Sequence, residues 1–348
     1  MKKNLFHYFA VILLISFTAC NNLDDGPSTT APRGDYDGGI IVANEGTFGA
    51  PNADVSYILP DHSSIDNNIY QAVNGSHAGD VLQHIGFHQD KAFLVLNNSN
   101  KIIVVDRFSF EKIDSITNTA SSSTLNQPRY IAFAQNKAFV TNAGNQSVQV
   151  YDVNSLQHLQ SVSLSSTPNQ VVSNGQRVFV EQAYFGTGNS VGVIDPGSYA
   201  YSSVTLDTGL NGIAMHSNGQ NLYAITNSQP TKIHSINTTS LETLEYSIPG
   251  VSNARQLVFD NDNLYFASAN IVYKAATSNL TLAPIVAVEV PDNSWSTLYG
   301  FNVINHNIYT SDVNGFTQNG TVRVYNSAGA LLHTFTAGMG PNSFYLNH

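Results

Sequence analysis

Residues equipped for chemistry are scattered along this chain without a catalytic spacing. There is no HExxH, no GxSxG elbow, no phosphate-cradling glycine loop and no cysteine pair, because the 348 residues contain a single cysteine. Eleven histidines show no cluster. His84 and His88 are four apart, which in a strand separates them by about 13 Å, so they read as solvent-facing or capped core histidines rather than metal ligands. Acids are present, but no spacing singles out a pair. No catalytic residue, metal or cofactor is therefore expected. What the chain does offer is aromatic side chains set beside Arg, Asn and Gln. They occur in Asn44-Glu45-Gly46-Thr47-Phe48, Asn97-Asn98, Arg129-Tyr130, Tyr184-Phe185, Arg255-Gln256, Trp295 with Tyr299, and Asp312 with Phe316. That mixture suits a flat or bulky polar ligand, with rings covering apolar area and amides and guanidinium groups fixing orientation.

The elements that must position these residues repeat. Lys137 to Val153, KAFVTNAGNQSVQVYDV, reads as a half-buried strand, a polar turn and a second strand. Copies begin at Lys91, Lys137, Arg177, Asn221, Asn263 and Asn307, at intervals of 46, 40, 44, 42 and 44 residues, and a looser seventh starts near Gly39. A period in the low forties made only of short strands predicts an all-β fold, a seven-bladed β-propeller with four strands per blade. Almost no helix is expected. The closing Gly340-Pro341-Asn342-Ser343-Phe344 matches the innermost strands at Gln127-Pro128-Arg129-Tyr130 and Thr167-Pro168-Asn169-Gln170, while the first copy has no such strand ahead of it. The C-terminal strand is thus predicted to complete blade 1 and remove two open sheet edges. In that arrangement the loops named above converge on one mouth of the central channel. Pro128-Arg129-Tyr130 equally reads as the start of a strand, with Arg129 pairing to a neighbouring blade.

Ahead of the repeats, Lys2 and Lys3 precede an apolar run from Phe9 to Phe17 that is too short to span a bilayer. Phe17-Thr18-Ala19-Cys20 then resembles a bacterial lipobox, making residues 1–19 a signal peptide and Cys20 the lipidated residue. A lone thiol in an exported chain otherwise needs explaining. Residues 20–36 read as a polar, turn-rich tether and 37–348 as the propeller. Asp24-Asp25 soon after the cysteine resembles the surface-export signal of Bacteroidetes lipoproteins. A formal charge of −10, made more negative by loss of the two leader lysines, argues against nucleic acid and anionic headgroups as partners. Membrane contact is expected through the lipid alone.

Asn44-Glu45-Gly46-Thr47-Phe48, Asn74-Gly75 with Gly79-Asp80-Val81, Asn97-Asn98-Ser99 and Pro128-Arg129-Tyr130 together resemble the YncE-like, YVTN-type surface propellers of Bacteroidetes. Among these the chain looks most like the lipoproteins that capture cobalamin above a TonB-dependent transporter. Tyr299-Gly300 and Gly340-Pro341 fit the same pattern. The resemblance implies a non-enzymatic surface lipoprotein that binds a corrinoid and passes it to an outer-membrane transporter. Two alternatives stand beside it: a binding module for a glycan or siderophore, and a lactonase-like hydrolase with carboxylates converging on the channel around a divalent ion.

Overall fold

The computed structural model describes residues 32–120 and 122–348. The leader, Cys20 and the tether up to residue 31 lie outside the described residues. Each repeat copy forms an antiparallel pair. Lys91–Leu96, Lys137–Asn142, Val178–Gln182, Asn221–Thr226, Asn263–Ser268 and Asn307–Asp312 all pair with the strand that follows them. Five four-stranded sheets and one seven-stranded sheet result. The larger sheet contains two such units sharing one strand, Tyr201–Met215. Its first half pairs with Gly188–Ile194 (Ser190 opposite Thr205) and its second with Asn221–Thr226 (Ala214 opposite Tyr223). Gly209 and Gly212, at φ +87° and +149°, sit where the strand changes partner, a backbone geometry open to glycine. The architecture is all-β and propeller-like.

The strands predicted to be half-buried are in fact covered on both faces in the middle of each sheet. Lys137–Asn142 and Ser147–Asp152 are buried almost throughout, whereas the outer strand His158–Ser163 is exposed except at Val162. The reason is that each sheet faces a neighbour on either side. Phe93, Val95, Ile102 and Val104 of one sheet pack on Ile131, Ala138, Val140 and Tyr151 of the next. Seven apolar clusters occur among the described residues: six join two sheets, one of them setting Ile304, Tyr309 and Val322 against Ile40, Val42 and Phe344, and the seventh joins the two units of the seven-stranded sheet. Burial on both faces selects continuous apolar runs over strict alternation.

The C-terminal strand Pro341–Leu346 pairs antiparallel with Ile40–Asn44, Ile41 opposite Tyr345. Just beyond it, Asn347 is fully buried. The packed body begins at Arg33, so residues 33–36, which the sequence assigns to the tether, belong to the fold. The Tyr36 amide donates to the Phe108 carbonyl at 3.0 Å, and its ring meets Tyr57 and Phe110 edge-on. Helix is confined, among the described residues, to Ile69–Asn74 and two single 3₁₀ turns, Tyr184–Gly186 and Asn314–Phe316. Buried Asp54 accepts the Tyr70 amide at 3.0 Å and so anchors the short helix. No helix among the described residues is long and apolar enough to cross a membrane.

Candidate functional site

Polar side chains on and beside the first strands of the sheets are largely removed from water, and their polar atoms must find partners. They find them on the adjacent sheet or, in the seven-stranded sheet, on the adjacent unit. Asn342 Nδ2 donates to the Leu82 carbonyl at 3.0 Å, and the Ile131 amide to His84 Nδ1 at 3.4 Å. Arg129 Nε donates to Asn169 Oδ1 at 2.7 Å, the Ile213 amide to Gln170 Oε1 at 3.0 Å, and Asn211 Nδ2 to the Ala254 carbonyl at 3.3 Å. Gln256 Nε2 reaches the Tyr299 carbonyl and Asn302 Nδ2 the Phe344 carbonyl, both at 2.8 Å. Apart from the Asn342 bond, partners are 40 to 47 residues apart, within one residue of the 40 to 46 repeat intervals.

Two adjoining cavities lie against these strands. The larger, about 310 Å³, is lined by Glu45, Gln83, Arg129, Tyr130, Arg255, Gln256, Trp295, Leu298, Tyr299, Asn342 and Ser343. The second, about 170 Å³, shares Tyr130, Gln256, Asn342 and Ser343 with it and adds His84, Gln170 and Tyr345 among others. Glu45 is buried and accepts Asn342 Nδ2 at 2.9 Å and the Tyr299 hydroxyl at 3.2 Å. Burial raises its pKa, and the two donors together with Arg129 oppose that more weakly. Fully buried Glu181 accepts Asn169 Nδ2 at 2.9 Å, and burial pushes its carboxyl up to about 7. Arg129 favours the ionised form of both acids. His84 is a neutral imidazole, pushed down to about 3 by burial.

Aromatic rings frame the larger cavity. The Arg129 guanidinium lies 5.0 Å from the Tyr184 ring centre and 5.5 Å from that of Phe185. Trp295 stacks on Phe316, centroids 6.3 Å apart and planes 19° from parallel, and Phe316 meets Tyr299 edge-on at 5.3 Å. Phe48, Phe185 and Trp295 are 76%, 73% and 68% exposed, the three most exposed large hydrophobic side chains among the described residues. Three lining residues also carry buried polar atoms with no hydrogen-bond partner in the protein: Arg255 Nη1, Gln256 Oε1 and Asn342 Oδ1.

A family model described as a domain of unknown function, DUF5074, matches residues 38–340. The chain belongs to the DUF5074 family. No curated protein matches it. Solved structures match the fold. One is a quinonprotein alcohol dehydrogenase-like protein from Bacteroides thetaiotaomicron, with TM-score 0.65, 15% identity, and coverage of 90% of this chain and 79% of that one. Another is Kuenenia stuttgartiensis hydrazine synthase, with TM-score 0.61, 18% identity, and coverage of 77% and 91%. The β-propeller domain of Myceliophteria thermophila Cps50 (Swd1) matches at TM-score 0.56 and 12% identity, over 74% and 86%. At such identities the likeness is one of fold.

Within this DUF5074 member, six of the residues singled out from sequence line the larger cavity: Glu45, Arg129, Tyr130, Arg255, Trp295 and Tyr299. Tyr184, Phe185 and Phe316 lie beside them, packed on Arg129, Trp295 or Tyr299. Phe48 projects from the loop that leaves Glu45. Asn97 does not line the cavity: its Nδ2 donates to the Pro128 carbonyl at 3.0 Å and ties two sheets together. Arg129 lies in the strand Pro128–Ala134 and pairs to Asn169, as its strand reading expects, and it also lines the cavity. Asn342, Gln83 and Ser343 were missed. Asn342 had a signal, since it follows Pro341 as Arg129 follows Pro128 and Asn169 follows Pro168. Away from the cavity, Asp207, His234 and Glu245 bring potential ligand atoms within 4.8 Å of one another. Lys232 Nζ already lies between the two carboxylates, at 3.0 and 2.8 Å.

Proposed function

We propose that this chain is a seven-bladed propeller, closed by its C-terminal strand in blade 1, whose mouth captures a bulky small molecule. The ligand is a corrinoid of the cobalamin type. The protein acts as a cell-surface lipoprotein anchored at Cys20 and passes the ligand to a TonB-dependent outer-membrane transporter. The observation that carries this reading is the exposure of Trp295 on a polar-lined cavity, with exposed Phe185 packed on the lining residue Arg129 and exposed Phe48 three residues from the lining residue Glu45. An exposed ring on the lining of a cavity with convergent polar groups suits a ligand site. A corrinoid presents a broad apolar face edged by amides, which matches exposed aromatic rings beside a cavity lined by the Gln83, Gln256, Asn342 and Arg255 side chains. At about 310 Å³ the cavity admits a side group while the plane of the ligand rests on the rim.

A lactonase-like site would need several carboxylates converging on the cavity. The lining contributes one, Glu45, and it is engaged by Tyr299 and Asn342. Calorimetric titration of residues 21–348 with cyanocobalamin tests the proposal. One-to-one binding at about micromolar strength or tighter is expected. The absence of both heat and any rise in melting temperature would remove the corrinoid and turn the search to glycans and siderophores.

A further inference from the structure

We propose that the mouth contains an anion subsite centred on Arg255, which takes a carboxylate or phosphate-ester group of a ligand whose flat part lies against Trp295. The proposal deepens the capture reading and rests on the mouth being a ligand site.

Arg255 is set apart from the other five arginines by what surrounds it. Arg33 pairs with Asp37 at 3.1 Å, and Arg323 lies 4.0 Å from Asp312. Arg107 feels Asp90 and Asp37, Arg177 acts on Asp195, and Arg129 acts on Glu45 and Glu181. Among the described residues Arg255 has no acid within reach, and burial alone governs its titration, lowering its pKa. Its Nη2 donates to the Leu298 carbonyl at 2.7 Å and the Ala269 carbonyl at 3.3 Å, while Nη1 is buried and unpartnered beside the cavity. In a chain of net charge −10, one desolvated guanidinium has been left without a counter-ion.

A largely desolvated guanidinium with backbone carbonyls but no carboxylate as partners is costly to keep charged, so its retention beside a cavity points to an anion supplied from outside. The planar fork of a guanidinium fits carboxylate and phosphate oxygens two at a time. The lining carries two guanidiniums and one carboxylate, and Arg129 is the one the acids match, which leaves room for a single negative charge at Arg255. Trp295 lines the same cavity, with its ring stacked on Phe316 and most of its surface open.

Trp295 is the chain's only tryptophan, so its emission reports occupancy of this cavity. The mature protein is titrated with benzoate, with its neutral twin benzamide, and with inorganic phosphate as competitor. Benzoate is expected to bind about tenfold more tightly than benzamide, with phosphate displacing it. Arg255→Gln should erase the preference, and Arg255→Lys should keep part of it. Equal binding of acid and amide, no response to either, or a preference that survives Arg255→Gln would overturn the subsite. So would a preference lost only in Arg129→Gln. If Arg255→Gln does not fold, the wild-type comparison and the Arg255→Lys variant decide. Cyanocobalamin run alongside separates the two readings. Corrinoid binding without acid preference leaves capture standing and sinks the subsite, whereas acid preference without corrinoid binding does the reverse.

Discussion

Asn347 and Arg107 clasp each other from 240 residues apart. Arg107 Nε donates to Asn347 Oδ1 at 2.7 Å, and Asn347 Nδ2 returns to the Arg107 carbonyl at 2.7 Å. The same amide nitrogen also reaches the Tyr36 carbonyl, and the guanidinium rests 4.4 Å from the centre of the Phe87 ring. One side chain thereby joins the start of the packed body, a middle turn and the end of the chain.

Asn347→Ala would leave a buried guanidinium, a buried carbonyl and a part-buried one short of partners. The expected loss is about 2 to 4 kcal/mol. Urea unfolding checks it: the midpoint should fall with the slope unchanged. A loss below about 0.5 kcal/mol would show that water replaces the clasp without cost.

The buried acids give stability a pH dependence of known sign. Glu181 has its folded pKa pushed up to about 7 by burial, so the fold favours its protonated form. Its contribution is present at low pH and is lost as pH rises from the ordinary carboxylate range through about 7. A tenfold change in proton affinity is worth about 1.4 kcal/mol, which bounds the whole effect at a few kcal/mol. Glu181→Gln retains an acceptor for Asn169 and removes the titration. Its stability relative to wild type should therefore grow with pH across this window. A constant difference between the two proteins would mean that Glu181 is already ionised in the fold. His84 acts with the opposite sign, since burial lowers its pKa and its contribution is lost as pH falls below the usual imidazole value.

Much of the architecture was legible because a repeat announces itself in short-range pattern. Phe139 opposite Val150 and the turn between their strands follow from local alternation and turn residues. The double-sided burial of those strands was not legible, because it depends on the neighbouring sheets. At the site, aromatics beside Arg and Gln pointed to the cavity, but Asn97 carries the same chemistry and spends it on a carbonyl. The direction a loop side chain takes is set by long-range partners such as Asn342 on Glu45, 297 residues away. Short-range spacing is blind to that pair.

Gly340 tests how tightly the rim is built. Its φ is +70°, and a Cβ there would come within 2.6 Å of the Phe316 ring. Gly340→Ala should cost about 1 to 2 kcal/mol from backbone strain and also push Phe316 off Trp295. The expected readout is a lowered melting temperature together with a shifted Trp295 emission. Strain without a spectral change would mean that the ring moves and carries its partner with it.

Trp295 and Phe139 separate binding from folding. Phe139 is fully buried between sheets, so Phe139→Ala should cost about 3 to 5 kcal/mol and leave the mouth unaltered in the fraction that stays folded. Trp295 is 68% exposed, and its contact with Phe316 lies outside the inter-sheet clusters, so Trp295→Ala should move the melting point little. Removing an aromatic anchor from a binding rim should instead weaken cyanocobalamin binding by about tenfold or more. Calorimetry on both variants gives the comparison. Should Trp295→Ala bind as tightly as wild type, the rim ring is not an anchor. The ligand contact would then belong to the lining residues alone, with Arg129, Arg255 and Gln256 the next to change.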